Sequence, residues 1–255
     1  MVDFINSGTI QGPSSGVSQG LYEESSTQQG NVGAMRELAD GRRFRYAYFG
    51  AATAAGLLVS QDVSATAVVN ILNKVTAGSI GDTTVTITDA TTLGSATADQ
   101  YAGGYLHTTG GAGAGHTYRI RGNTAASSNA VDFSLYDGLV VAVTTATDVA
   151  ITGSLYGSVG AATAADYVAS GVTMRAMTVN YYGWVQTRGV CTIKSDSPSA
   201  AILIGCNLTL SDGEAGCVQI KDAETEPLIG QATFLAADFS SVTDAQVGVR
   251  LYGLE

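Results

Sequence analysis

Tyr181-Tyr-Gly-Trp-Val-Gln-Thr-Arg-Gly189 decides how this chain reads, because it opens a rhythm that the remaining residues keep. Short apolar runs follow it, each closed by a glycine or a turn: Ala200–Gly205, Leu208–Leu210, Val218–Ile220, Leu228–Gly230 and Val247–Leu251. Strand-length runs at close intervals predict a small antiparallel β-barrel or sandwich. Within it, Trp184 is expected to anchor the barrel core or a subunit interface, where its bulk buries much area at little entropic cost.

Working back toward the N-terminus, Arg42–Phe49 reads as a strand. Phe44, Tyr46 and Tyr48 fall on one face, Arg43, Arg45 and Ala47 on the other. Gly56–Val59 predicts another short strand. Ala65–Val75 fits either a helix or a strand, and its β-branched residues favour the strand. From Thr76 the texture changes to a series of short strands: Val85–Thr88, Gly104–Thr108, His116–Arg121, Val131–Tyr136, Leu139–Val143 and Val149–Ile151. A flexible glycine turn, Gly110–Gly115, interrupts them. Residues 157–180 form a small-residue linker in which Ala161–Ala169 has room for one short helix.

The expected architecture is all-β: a base barrel or sandwich domain, an inserted second β-domain and an extended N-terminal arm. The arm covers residues 1–35, the first part of the base domain 36–75, the insertion 76–156, and the linker with the rest of the base domain 157–255. Pairing strand 42–49 into the terminal barrel removes unpaired edges that either part would leave alone. The arm has no sustained period and too little apolar surface to offset its own ordering. Phe4, Ile5, Ile10, Leu21 and Tyr22 are its candidate anchors on a neighbouring subunit.

Composition narrows the function. The 255 residues suffice for a real core. Charged residues make up 13% and glycine fills 32 positions, which favours β-structure with tight turns. Lys74, Lys194 and Lys221 are the only lysines, so solubility does not rest on dense charge. A net charge of −10 argues against broad nucleic-acid binding. Arg36, Arg42, Arg43 and Arg45 are the local exception: a solvated strand edge or a docking patch for an acidic protein surface. Cys191, Cys206 and Cys217 are an odd set without CxxC spacing, expected as reduced, buried thiols. No signal-like segment or apolar run of membrane-spanning length is seen, so synthesis in a cytoplasm is expected.

The chemical motifs are poor. Gly12-Pro-Ser-Ser-Gly16 matches a nucleophile elbow literally, yet no strand leads into it and proline takes its second position. His107 and His116 flank the glycine turn, and a zinc site needs more ligands than they supply. Gly110–Gly115 lacks the Lys-Ser or Lys-Thr of a phosphate loop. Asp137-Gly138 and Asp212-Gly213 are ordinary hairpin turns. No enzyme activity, metal or cofactor is expected.

Gly41-Arg-Arg-Phe-Arg-Tyr46, the middle module (Ala98-Asp-Gln-Tyr-Ala-Gly-Gly-Tyr105, Tyr118-Arg-Ile-Arg121, Asp137-Gly-Leu139) and Gly183-Trp-Val-Gln-Thr-Arg-Gly189 together resemble tailed-bacteriophage capsid decoration (cement) proteins and related virion structural proteins. The resemblance covers most of the chain, in pattern more than in invariant residues. It implies a protein on the outer surface of the head, trimeric or dimeric, with the major capsid protein as partner and neither nucleic acid nor membrane bound. A tail-tube or head-fibre component, or a carbohydrate-binding adhesin of the virion, is the alternative it leaves.

Overall fold

The computed structural model describes residues 17–61, 69–163, 168–196, 202–234 and 245–254. Every regular element among them is a strand. In chain order these are β1 (Met35–Glu37), β2 (Arg43–Phe49), β3 (Leu58–Gln61), β4 (Val69–Ile71) and β5 (Thr84–Thr88). Next come β6 (Tyr105–Gly110), β7 (Thr117–Asn123), β8 (Ala130–Leu135), β9 (Asp148–Thr152), β10 (Val159–Ala161) and β11 (Ala169–Thr173). The long β12 (Tyr181–Lys194), then β13 (Asn207–Leu210), β14 (Val218–Ile220), β15 (Gly230–Phe234) and β16 (Gln246–Leu251), complete the series.

Contacts divide the chain into two compact units, residues 1–61 with 158–255, and residues 62–157. In the first, β2, β10, β3, β11 and β12 close into a five-stranded barrel, because β12 returns to pair with β2. One ladder departs from the expected antiparallel pattern: β10 meets β2 in parallel at Val159 and Phe49. Beyond the barrel the same sheet continues from β12 through β16, β15 and β13 to β14.

The residues that opened the sequence reading sit where those two parts divide. Tyr181–Gln186 pairs with β2, and Gly189–Lys194 pairs with β16. Between them the register shifts at Gln186/Arg188, a β-bulge that redirects the strand. Gly189 adopts φ 90° there. A Cβ at that position would lie 2.8 Å from Arg42 Cγ, so both space and backbone call for glycine. The Gln186 amide clasps the bulge by donating to the carbonyls of Arg188 (2.9 Å) and Val190 (3.0 Å).

The second unit is a sheet in the order β4-β9-β6-β7-β8-β5. Its core gathers Ile87, Leu106, Ile120, Phe133, Leu135, Val149 and Ile151 from alternate positions. β4 was expected in the base domain; it lies here because Val69–Ile71 pairs with Val149–Ile151 of β9.

Three expected elements differ. Leu139–Val143 is not a strand: Leu139 and Val143 are buried, while Val140 and Val141 face solvent. The run is a loop pinned at both ends, with Val143 bridged to Gly78. Of Ala200–Gly205, the described part turns back so that Cys206 N donates to Leu203 O. The helix expected over Ala161–Ala169 does not form at its ends, since Ala161 and Ala169 both pair with β3. Pairing overrides alanine's helix propensity there. Residues 164–167 lie outside the described set.

Candidate functional site

β2 and β12 lie in a register that sets Tyr46 opposite Trp184 and Tyr48 opposite Tyr182. Directly opposed residues point to the same face, so these rings with Phe44 make one aromatic face of the β2–β12 ladder. Tyr46 and Trp184 meet edge to face at 5.2 Å, and Tyr46 and Tyr182 stack at 6.0 Å. Left in water, such a face would be a large apolar patch. It is instead covered by residues 17–25 of the same chain.

The cover is held by directed bonds. Val17 and Leu21 pack on Phe44, Tyr46 and Trp184. Trp184 Nε1 donates to the carbonyl of Gln19 (3.0 Å), and the Tyr46 hydroxyl donates to Gln19 Oε1 (2.7 Å). Gln19 Nε2 in turn donates to the carbonyls of Glu23 (2.7 Å) and Tyr182 (2.9 Å). Ser25 and Tyr182 exchange backbone bonds of 3.0 and 2.8 Å. Arg175 closes the far end, reaching Glu24 Oε1 and the carbonyl of Tyr22, each at 3.1 Å. Burial raises the Tyr46 and Tyr182 phenols above their ordinary value.

Arg36 finishes the clasp. Its guanidinium lies 4.4 Å from the centre of the Trp184 ring and donates to the carbonyls of Gln19 (3.1 Å) and Val17 (2.8 Å). A cation stacked on indole with its two terminal nitrogens bonded is a specific arrangement for arginine. Desolvation lowers the Arg36 pKa from its ordinary value. Arg36 is therefore turned inward. The other arginines of the cluster stay on the β1–β2 hairpin with local partners: Arg42 with Asp40 at 2.7 Å, Arg43 with Glu37 at 3.0 Å, and Arg45 with the carbonyl of Gly33 at 3.0 Å. The patch thus mixes both signs of charge and is not a cationic block.

The structure disperses the ten residues singled out from sequence. Phe4, Ile5 and Ile10, and the Gly12–Gly16 motif, lie outside the described residues. Leu21, Arg36 and Trp184 meet on the aromatic face, with Trp184 only 1% exposed. Tyr22 and Arg42 meet elsewhere, in a cavity of about 440 Å³ at the β12 bulge that Gln186, Cys191, Thr192 and Gln246 also line. Burial pushes the Cys191 thiol up to about 12. The residue that organises the face, Gln19, carried no signal in sequence: it is one polar side chain in a polar, aperiodic segment.

In the second unit the two histidines part company. His107 places Nδ1 3.1 Å from Thr117 Oγ1 and Nε2 3.0 Å from Thr152 Oγ1. His116 Nδ1 lies 2.8 Å from the carbonyl of Gly113. The glycine turn, expected to be flexible, is tied down: Thr147 Oγ1 donates to Ala112 O at 2.9 Å, and Thr108 Oγ1 to Gly113 O. Cys191, Cys206 and Cys217 are free thiols. No helix among the described residues is long and apolar enough to cross a membrane. Comparison with protein-family models, curated proteins and solved structures yields no match to this chain.

Proposed function

We propose that this chain is a structural virion protein, a capsid decoration (cement) protein that binds the outside of a tailed-phage head and bridges major capsid subunits. It acts by adding interface area, without turnover or cofactor, and assembles as a homo-oligomer with trimers favoured. After synthesis in the host cytoplasm it resides on the capsid surface, bound to neither nucleic acid nor membrane.

The observation that carries this reading is the β1–β2 hairpin beside the clasped segment. β1 ends the first unit's sheet and has β2 as its only strand partner among the described residues. An open strand edge is a template for a strand from another chain. The hairpin beside it displays two opposite-charge pairs, Arg42 with Asp40 and Arg43 with Glu37, and a surface of mixed sign sets register on a partner better than a single-sign patch does. Clasping residues 17–25 in place gives residues 1–16 a fixed point of departure, as an arm that ties subunits together requires. A stable interface buries about 1,200–2,000 Å², within reach of one arm and one barrel face.

Cryo-electron microscopy of particles carrying this protein tests the assignment. Density for both units on the head exterior, spanning adjacent capsid subunits, is expected; density confined to the tail would overturn it. Removing residues 1–16 alone, with the clasp intact, is expected to weaken head binding, and unchanged binding would refute the arm.

A further inference from the structure

A second aromatic row lies on the outer face of the second unit's sheet, and this one is open. Tyr105 of β6 is directly opposite Arg119 of β7 on one side and Thr152 of β9 on the other. Across the next ladder Tyr136 N donates to Arg119 O at 3.0 Å, continuing the row just beyond β8. Thr152, Tyr105, Arg119 and Tyr136 therefore stand side by side across four strands, over a floor of buried Leu106, Tyr118, Ile120 and Leu135. Tyr105 is 43% exposed and Tyr136 51%. Two strand spacings separate these residues, roughly 10 Å.

The chemistry between the rings is specific. Arg119 lays its guanidinium 4.9 Å from the centre of the Tyr136 ring. Stacked in this way, the fork keeps its in-plane N–H donors turned outward, where they match a carboxylate in two parallel bonds. No carboxylate lies within ion-pair distance of Arg119 among the described residues. The acid of β8 on this face, Asp132, instead accepts the Thr86 hydroxyl at 2.6 Å. His107 lies beside Tyr105, ring centres 6.2 Å apart, and holds the hydroxyls of Thr117 and Thr152 at the edge of the row.

We propose that this row binds a short oligosaccharide bearing a carboxylate, of the sialic-acid or uronic-acid class. The exposed tyrosine rings offer apolar surface to the C–H faces of sugar rings, the threonine hydroxyls that His107 holds serve their hydroxyl groups, and the Arg119 guanidinium takes the acid. Charge decides against a phosphate polymer. With a net charge of −10, the chain repels a dense polyanion, whereas a ligand with one carboxylate needs only one arginine. Extent decides against a protein partner, since a stable protein interface takes about 800 Å² per side and this row is a single strip.

Calorimetric titration of the full chain with sialyllactose and with a glucuronate-capped disaccharide, one carboxylate each, against lactose and cellobiose, tests the proposal. At least one acidic sugar is expected to bind about tenfold or more tighter than its neutral counterpart, with Arg119→Ala and Tyr105→Ala each weakening it about tenfold. Arg119→Lys, which keeps charge and fold, is expected to lose affinity as well, because a lysine cannot offer the planar fork. Arg250→Ala, in the other unit, is expected to change nothing. Failure of both acidic sugars to saturate, equal binding of the neutral ones, full affinity in Arg119→Ala, or equal loss in Arg250→Ala would each overturn the site.

Discussion

Both units carry an aromatic row with an arginine laid upon it, and they finish it in opposite ways. In the barrel unit Arg36 sits 4.4 Å above Trp184, its two terminal nitrogens donate to the carbonyls of Gln19 and Val17, and the ring is 1% exposed. In the second unit Arg119 sits 4.9 Å above Tyr136, is itself exposed with no carboxylate on it among the described residues, and that ring is 51% exposed. The same pairing of guanidinium and ring is thus core in one place and surface in the other. What separates them is a covering segment of nine residues, 17–25, two of whose backbone carbonyls accept from the arginine and whose side chains dry the rings. Burial turns the pair into stability; exposure leaves it for recognition.

The sharpest break between the two rows should come from deleting each ring. Trp184→Ala removes the largest fully buried side chain and leaves Arg36 without its ring, so a loss of about 3–5 kcal/mol in urea unfolding is expected. A loss below about 1 kcal/mol would show that the clasp is not core.

A smaller effect is expected from the clasp's one polar organiser. Gln19→Ala leaves the buried Tyr46 hydroxyl without its acceptor, at a cost of about 1–3 kcal/mol. Trp184 is the only tryptophan, so its emission reports the cover directly: a red shift in this variant is expected, and none would mean that residues 17–25 stay seated without Gln19.

Alkaline pH probes the covered row next. Tyr46 and Tyr182 are raised above 10.0 by burial, and so hold their protons more tightly folded than unfolded. Their contribution is complete below pH 10 and is lost as pH rises through the raised values. The thiols of Cys191 and Cys217, moved from 9.0 to about 12, act in the same direction from pH 9 upward. Urea melts are expected to be flat across neutral pH and to fall above pH 9; stability rising there would contradict the burial of these groups.

The smallest effect belongs to the open row. Tyr136→Ala removes one exposed cation–ring contact and is expected to change stability by less than about 1 kcal/mol. A loss matching that of Trp184→Ala would mean that the second row is structural after all, and the contrast between the units would collapse.

Much of the strand content was legible because it rests on local chemistry. Arg42–Phe49, Val131–Tyr136 and Val247–Leu251 alternate or run apolar between turn residues, and each forms a strand in the structure. The misread segments were apolar runs whose partners lie far away. Leu139–Val143 looks like a strand by composition, but Leu139 and Val143 are held in the core as two ends of a loop. Val69–Ile71 gave no sign that it would pair with Val149–Ile151. The candidate site was half legible. Trp184 and Arg36 stand out by residue type, whereas Gln19 does not, since a lone glutamine in a polar segment has no periodicity to betray it.

By itself, then, the sequence determined that the chain is all-β and that Tyr181–Gly189 opens a series of short strands. Propensity, turn residues and positive-φ tolerance are properties of neighbours along the chain. Only the tertiary structure decided that this strand closes a barrel with β2 and that Gly189 marks its passage to a second set of partners. Only it decided, too, that one aromatic row is covered and the other bare. Those outcomes depend on contacts between residues more than a hundred positions apart, such as Gln19 with Trp184, and no local pattern encodes a partner at that distance.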